Sequence, residues 1–346
     1  MKISALEVFA VREQSRGFAY TLLKVRCDDG SVGWGECGRV EAAGLDRARA
    51  LCVGQEATRY DYLTRQLSAD AGIAAAVNIA LLDLCGKAAK APVYQLLGGP
   101  TRNKVRAMTM AGPPGAMERL RAEGHRAFVV PVELPKQITS RPKIVASLVK
   151  QFEDLRKAVG ASVDFVADGM GMLPAAEAAD FSVALEALHP LWLDQPCKSP
   201  SEDVLRRLTT ESATPIGLGR DLNGAGELQN LLREGLVDVV RLPLTKIGIS
   251  PWRRAAALAE TYYVAVAPFH MTGGPIATAA AMHLAASMPN FFIQQVPLVM
   301  DAETRKLREE LVGGGVERVT DGFLSLSNTP GLGIEVNEAV VRRMTI

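Results

Sequence analysis

The sequence predicts an α/β fold: a closed (β/α)8 (TIM-type) barrel with an α+β capping domain made from the N-terminal region and the C-terminal tail. Three observations carry this reading. From Lys104 onward, short β-branched runs alternate with amphipathic helical runs, and the strand starts recur at roughly 23 to 36 residues, the size of a strand, a helix and two loops. The residues before Lys104 have a different rhythm, alternating first and helical afterwards. No Gly-rich phosphate loop follows the first strand of the alternating part, which argues against an open dinucleotide-type sheet. We divide the 346 residues into a capping domain (1–103), a barrel (104–315) and a returning tail (316–346).

The capping domain begins as a meander. ISALEVFAV is followed by AYTLLKVRC, the turn Asp28-Asp29-Gly30, and SVGWGECG, so an Asp-Gly turn joins two alternating runs. The Ala- and Leu-rich stretch GIAAAVNIALLDLCGKAAKAPVYQLLGG then reads as helix, stopped by Gly98-Gly99-Pro100. The barrel strands are KVRAMTMAG from Lys104, AFVVPVE from Ala127, VDFVADG from Val163 and PLWLDQP from Pro190. They continue with TPIGLGRD from Thr214, VDVVRLPLT from Val237, YYVAVAPFH from Tyr262 and FFIQQVP from Phe291. Between them, runs such as KIVASLVKQFEDLRKAVG and AGELQNLLREGL place apolar residues at helical spacing and end on glycine. The tail DGFLSLSNTPGLGIEVNEAVV reads as strand-like around a Pro-Gly turn and is expected to return to the capping domain.

Composition narrows the function classes. With 39 basic and 38 acidic residues the formal charge is +1, so no global field favours nucleic acid or an anionic membrane, and recognition has to be local. Apolar stretches such as Ile276–Ser287 fall short of the ~18–20 residues of a membrane span. Cys27, Cys37, Cys52, Cys85 and Cys197 form no CxxC pair, and their odd number argues for a reducing, cytoplasmic setting rather than a disulfide framework.

In a barrel of this kind the chemistry sits at the C-terminal ends of the strands. Those ends carry Glu133, Asp168, Asp194-Gln195, Arg220-Asp221, Arg241, His270 and Gln294-Gln295. Asp168 and Asp194, on neighbouring strands, read either as hard oxygen ligands for a divalent cation such as magnesium or as caps of the helices that follow. Arg220 then leaves two arrangements: it turns away and Asp221 completes a metal set with Asp168 and Asp194, or its guanidinium takes the place of the cation. His270 has the chemistry of a general base or acid, against the reading of a histidine satisfied at the barrel top. Arg241 is placed either to grip a substrate carboxylate or to pair with Asp194 or Asp221. Lys246 and Lys136 are further cations near strand ends, whereas His283 reads as structural and His125 and His189 as loop residues. The meander loop from Arg12 to Tyr20, with Arg16 and Phe18, is expected to close over the barrel mouth, and Glu133, Gln295 and Tyr20 are the candidate substrate contacts.

These segments resemble the mandelate racemase/muconate-lactonizing group of the enolase superfamily. IALLDLCGKAAKAPVYQLLGG is similar to the helix and stop that close its capping domain. GHRAFVVPV, VDFVADGMG, LWLDQP, TPIGLGRDL, VDVVRLPLTKIGI and PFHMTGGPIATAAAMHLAASMPNF resemble its barrel segments in order, and DGFLSLSNTPGLGIEV its C-terminal return. The resemblance implies abstraction of the proton α to a carboxylate, an enolate stabilised on magnesium held by the third, fourth and fifth strands, and symmetric oligomers. It also exposes departures. Val129 and Pro131 stand at the Lys-x-Lys positions, Asp194 shortens a glutamate, Arg220 replaces the third ligand, Pro243 falls at the dyad aspartate and Gln295 at a carboxylate position. The expected ligand is a small carboxylate or lactone, with no nucleic acid or membrane partner, and the expected cofactor is none or Mg2+. Three functions follow: isomerisation or dehydration of a small hydroxy or sugar acid with Arg220 replacing the metal, a magnesium-dependent lyase or isomerase using Asp168, Asp194 and Asp221, and a ligand-binding protein without catalysis.

Overall fold

A computed structural model describes residues 1–13, 18–113, 115–137, 140–222, 225–270 and 273–346. Arg16 lies outside them. The chain opens with an antiparallel sheet of β1 (Ile3–Arg12), β2 (Ala19–Cys27) and β3 (Val32–Cys37) in sequential order. Alternation explains it: Leu6, Leu23 and Val25 turn into one core, and Asp29 accepts from the Ser31 amide at the connecting turn. Four helices complete the cap: α1 (Ala42–Cys52), α2 (Tyr60–Gln66), α3 (Ala71–Ala88) and α4 (Val93–Leu96). α3 is 18 residues long and apolar enough to cross a membrane by length and composition, longer than any run expected from the sequence. Here 72% of it is buried, because it lies between the sheet and the barrel, so its apolarity serves packing.

The barrel strands are β4 (Lys104–Met110), β5 (Ala127–Pro131), β6 (Asp164–Asp168), β7 (Leu193–Asp194), β8 (Ile216–Leu218), β9 (Val239–Val240), β10 (Ala265–Val266) and β11 (Gln294–Gln295). From β4 to β10 each pairs in parallel with the next, β11 pairs in parallel with β4, and an isolated parallel bridge from Val266 to Phe291 joins β10 to the segment leading into β11. The sheet therefore curls around on itself, with all eight strands anticipated from the sequence. The helices outside are α5 (Ala116–Ala122), α6 (Arg141–Val159), α7 (Ala175–Leu185), α8 (Glu202–Glu211), α9 (Ala225–Arg233), α10 (Leu244–Ile247), α11 (Ile249–Glu260), α12 (Pro275–Ser287) and α13 (Ala302–Val312). Local signals start and stop them. Asp301 accepts from the Thr304 amide at 2.7 Å to cap α13, and Gly313 at φ +70° ends it.

The tail differs from its strand-like reading. β12 (Phe323–Ser325) is short and pairs antiparallel with the start of β4, so it stays with the barrel before the chain reaches the cap near Gly331. NEAVVRRM is a helix, α14 (Glu338–Met344), because Asn337 caps it by accepting from the Ala339 and Val340 amides and its apolar positions recur at helical spacing. It packs on β1, where Thr345 bridges Val11.

Polar contacts among the described residues tie cap, barrel and tail together. Asn78 of α3 exchanges hydrogen bonds with Ser250 of α11. Asp83 of α3 accepts from the Trp34 amide at 3.1 Å and the Leu332 amide at 2.9 Å, tying β3 and the tail together. Glu36 of β3 accepts from the Gly274 and Ala277 amides, so a carboxylate from the cap sits on the positive end of α12. A side chain at position 274 has no room, because a Cβ there meets Glu36 Oε2 at 2.1 Å. Finally Arg308 of α13, buried, binds Glu13 of the cap and Glu317 at the start of the tail. Burial opposes its charge, but the Glu317 and Glu13 carboxylates more than offset this and hold its pKa above the ordinary value.

Arg308→Ala leaves the buried Glu13 and the partly buried Glu317 without their shared cation, so we expect a loss of about 3–5 kcal/mol in unfolding free energy. Urea unfolding followed by circular dichroism checks this; a loss below ~1 kcal/mol would show that the network is not holding the two parts together.

Candidate active site

The site forms because parallel strands deliver side chains to one face. Asp168 and Asp194 are direct partners in the β6–β7 register, so their side chains stand side by side, and both are buried. Met170 and Gln195, just beyond, have φ of +53° and +42°, uncommon for side-chain-bearing residues, and turn the chain off the strand ends. Asp168 Oδ1 accepts from the Met170 amide at 2.9 Å, a turn contact rather than a cap, since α7 starts seven residues later at Ala175. The neighbouring strand makes room: a Cβ at Gly217 would meet Trp192 at 2.3 Å and Asp194 Oδ1 at 2.7 Å.

Arg220, following β8, completes the pair. Its Nη2 donates to Asp168 Oδ2 at 2.7 Å and also to Asp194 Oδ2. Nη1 meets only the Met170 sulfur, at 3.8 Å, and Nε has no partner among the described residues. The side chain is 19% exposed, so one edge of the guanidinium still meets solvent. Arg241, following β9, lies beneath with no exposed surface; its Nε donates to Asp194 at 3.2 Å and its Nη2 to Gln295 Oε1 at 2.7 Å. Phe269 packs against both guanidinium groups, at 5.6 Å from Arg220 and 5.2 Å from Arg241, and Trp192 against Arg241 at 5.4 Å. Two cations and two anions thus form a neutral buried cluster.

Its electrostatics follow from burial and sharing. Burial would lower the Arg220 pKa, but Asp194 and Asp168 hold it well above the ordinary value. Burial raises the Asp168 carboxyl above the usual range, against the pull of Arg220 and with the push of Asp194. Arg220 keeps its proton in any case.

The residues do not fit a divalent cation. Asp221 is exposed and its Oδ2 accepts from Gln195 Nε2 at 3.0 Å, so it does not join Asp168 and Asp194, and no set of three His, Cys, Asp or Glu side chains able to hold a metal occurs among the described residues. The space between the two aspartates is taken by Arg220, whose charge would repel an ion about 4 Å away by roughly 4 kcal/mol.

His270, following β10, is buried beside a cavity of about 410 Å³ that Phe18, Pro131 and Gln295 also line. Its Nε2 is 3.2 Å from Thr278 Oγ1, which is itself 2.7 Å from Glu317 Oε1. Burial would raise the Glu317 carboxyl, but Arg308, bound to it twice at 2.7 Å, keeps it below the ordinary value and ionised. A carboxylate only accepts, so the single Thr278 hydroxyl proton goes to Glu317 and the hydroxyl accepts from His270 Nε2–H. The lone pair is then on Nδ1, which has no partner among the described residues. Burial pushes the His270 pKa down to about 4.

Other expected contacts lie elsewhere. Tyr20 is buried and donates to Glu13 Oε1 at 3.1 Å, part of the Arg308 network rather than a ligand contact; the alternating pattern that made β2 turned it inward. Glu133 is exposed, with its amide donating to Gln151, and does not line the cavity. Arg241 is a buried partner of Asp194, not a grip on ligand from solvent. Lys136 is exposed, Lys246 lies within α10 and His189 is exposed. His283 is structural: its Nδ1 accepts from the Tyr94 amide and it stacks on that ring at 5.5 Å. Thr278, Glu317 and Arg308 were missed, because α12 reads as a uniformly apolar helix in which one threonine carries no signal. All five cysteines are unpaired.

Two outcomes check this geometry. Arg220→Glu should supply the third carboxylate and make the melting temperature rise with millimolar MgCl2, whereas the natural protein should show no such rise; a clear rise in the natural protein would overturn the placement of Arg220. His270 and His283 have pKa values held down to about 4, against an ordinary 6.5. The unfolded chain therefore binds more protons between these limits, and the stability present above pH 6.5 should fall by roughly 3 kcal/mol per histidine as pH drops to 4. Denaturant melts across that range, with His283→Gln flattening the slope, test the sign.

Comparison with known proteins agrees with this architecture. A model described as enolase C-terminal domain-like matches residues 115–340, and one for the N-terminal domain of mandelate racemase / muconate lactonizing enzyme matches residues 7–98. The chain is 31% identical over 371 residues to a D-galactonate dehydratase of Xanthomonas campestris pv. campestris, covering 99% of this chain and 94% of that protein. It is 29% identical over 348 residues to a D-galactonate dehydratase of Pectobacterium atrosepticum, covering 93% and 90%. Among solved structures, an enolase from Agrobacterium radiobacter with bound Na and L-malate superposes with a TM-score of 0.89 at 28% identity, covering 100% of this chain and 95% of that one. The chain belongs to the mandelate racemase/muconate lactonizing enzyme family of the enolase superfamily, with the TIM barrel and capping domain of that family.

Proposed function

We propose that this chain is a dehydratase-type lyase acting on a small hydroxy acid, with the Arg220 guanidinium in place of the divalent cation. The observation that carries the reading is Arg220 Nη2 bound by both Asp168 and Asp194 at the barrel mouth. Relatives named D-galactonate dehydratases over nearly the whole chain support the reaction class, and a structural neighbour that binds L-malate supports a small hydroxy carboxylate.

The roles follow from the free valences. Nη1 of Arg220, opposed among the described residues only by a thioether, is the N–H for a substrate carboxylate oxygen. As the proton α to that carboxylate leaves, negative charge moves onto its oxygens, and a fixed guanidinium stabilises it without reorganising. His270, neutral and lining the cavity, takes the proton. The C–H electron pair becomes the new C=C bond, the β C–O bond breaks, and the departing hydroxide takes the proton back from His270 as water. Thr278 and Glu317 are positioning residues: they hold the imidazole in the tautomer whose lone pair is on Nδ1. Gln295, its oxygen fixed by Arg241, keeps its NH2 for the ligand at the cavity wall.

Product formation from a panel of hydroxy and sugar acids tests the reading directly. Arg220→Ala should lower kcat about 10²- to 10³-fold; unchanged turnover would remove the role of Arg220. The acid limb of kcat/KM should lie near pH 4, where His270 protonates, rather than near 6.5. Thr278→Val should lower kcat with little change in KM and shift the His270 15N signals toward the other tautomer; a KM effect alone would assign Thr278 to packing.

A further inference from the structure

The chain leaves β6 through a tight turn, Gly169-Met170-Gly171-Met172. The Met172 amide donates to the Gly169 carbonyl at 2.8 Å, and both central residues have positive φ, +53° at Met170 and +67° at Gly171. Glycine, asparagine and aspartate suit such positions, and a methionine at the first of them is uncommon. Neighbouring groups hold the turn in place. Asp168 Oδ1 accepts from the Met170 amide, and the Gly171 and Leu173 amides donate to the Gln195 and Pro196 carbonyls at 2.7 and 3.1 Å. The turn brings a thioether to the shared guanidinium: Met170 Sδ lies 3.8 Å from Arg220 Nη1. Core packing does not account for this methionine, because it is 47% exposed. Met172, two residues on, is 48% exposed and bridges Cys197. These two are the exposed methionines among the described residues.

We propose that Met170 is a site of reversible oxidation by peroxide, and that its sulfoxide occupies the Arg220 Nη1 position and blocks it. The consequence for turnover rests on the dehydratase reading above, in which Nη1 holds the substrate carboxylate. A sulfur lone pair attacks one peroxide oxygen and the O–O bond breaks. The transferred oxygen passes its proton to the departing hydroxide, which leaves as water; the thioether has lost two electrons to become S=O. A thioether is a weak acceptor, whereas a sulfoxide is polar and presents an oxygen. An oxygen carried toward Nη1 on a sulfur 3.8 Å away comes within the ~2.7–3.2 Å of a hydrogen bond. Arg220 does not turn away from it, because Nη2 is held by both Asp168 and Asp194. The oxidised side chain then takes the N–H and the space that a carboxylate oxygen would use. Two thiols reverse the step: they form a disulfide, the sulfoxide oxygen leaves as water and the thioether returns.

Hydrogen peroxide applied to the full-length protein tests this in two stages. Peptide mass spectrometry should find the sulfoxide at Met170, and a crystal structure of the treated protein should place its oxygen within ~3.2 Å of Arg220 Nη1. Met170 left unmodified, or an oxygen turned to solvent, would overturn the proposal whatever the reaction is. For turnover, each protein is compared with its own untreated sample, using the acid that the panel identifies. The natural protein and Met172→Leu should both lose about 10- to 100-fold in kcat/KM, the worth of one hydrogen bond to a charged group. Methionine sulfoxide reductase with a thiol should restore the loss. Met170→Leu should keep its untreated value; an equal loss in that variant would place the sensitive group elsewhere and overturn the proposal. Arg220→Ala separates the two readings. If Arg220→Ala lowers turnover and the Met170 sulfoxide does not, the Met170 proposal alone fails. If neither changes turnover, the role of Arg220 fails and the blocking role of Met170 fails with it.

Discussion

Two carboxylates placed side by side at the end of adjacent parallel strands demand a cation, and much of this molecule's chemistry follows from that. The β6–β7 register makes Asp168 and Asp194 direct partners, and the barrel buries both. Such a pair is tolerable only if it shares a proton, an ion or a positively charged side chain. Here Arg220 bridges the two and Arg241 supports Asp194 from below, so the charge balance is met within the protein itself. A guanidinium differs from a metal ion in one useful way. It is tethered, so it cannot be lost by chelation, but it offers fixed N–H directions rather than open coordination positions.

The second constraint is the joint between cap and barrel. Arg308 and Glu36 place charged groups where the two parts meet, and both contacts converge on the loop and helix that follow β10. That is the region holding His270. Glu317 therefore has two tasks: it pairs with Arg308 and it orients Thr278, hence His270. Stability of the joint and the state of the imidazole are linked through one carboxylate.

The fold was largely legible in sequence because its signals are local and repeated. Eight apolar runs at barrel spacing located all the barrel strands, and Gly or capping residues marked helix ends. The exception was the tail, where EVNEAVV suggests alternation but Asn337 and the burial of Val340, Val341 and Met344 on one face make α14 a helix. In the site, strand-end logic brought together Asp168, Asp194, Arg220, Arg241 and Gln295, which the structure joins in one hydrogen-bonded string. It did not show that Asp221 turns to Gln195, that Glu133 stays at the surface, or that Tyr20 is turned inward.

What the sequence determined by itself is the order of elements and the inventory of charges at the strand ends, since both depend on residue type and spacing. Tertiary structure decided which charge meets which. Arg220 had two arrangements open, and only the register of β6, β7 and β8 with the room left by Gly217 selects the inward one. The His270 tautomer depended on Thr278 and Glu317, 8 and 47 residues away, whose proximity no local pattern encodes. Hydrogen bonds and desolvation act over a few ångströms in space, whereas periodicity is read along the chain.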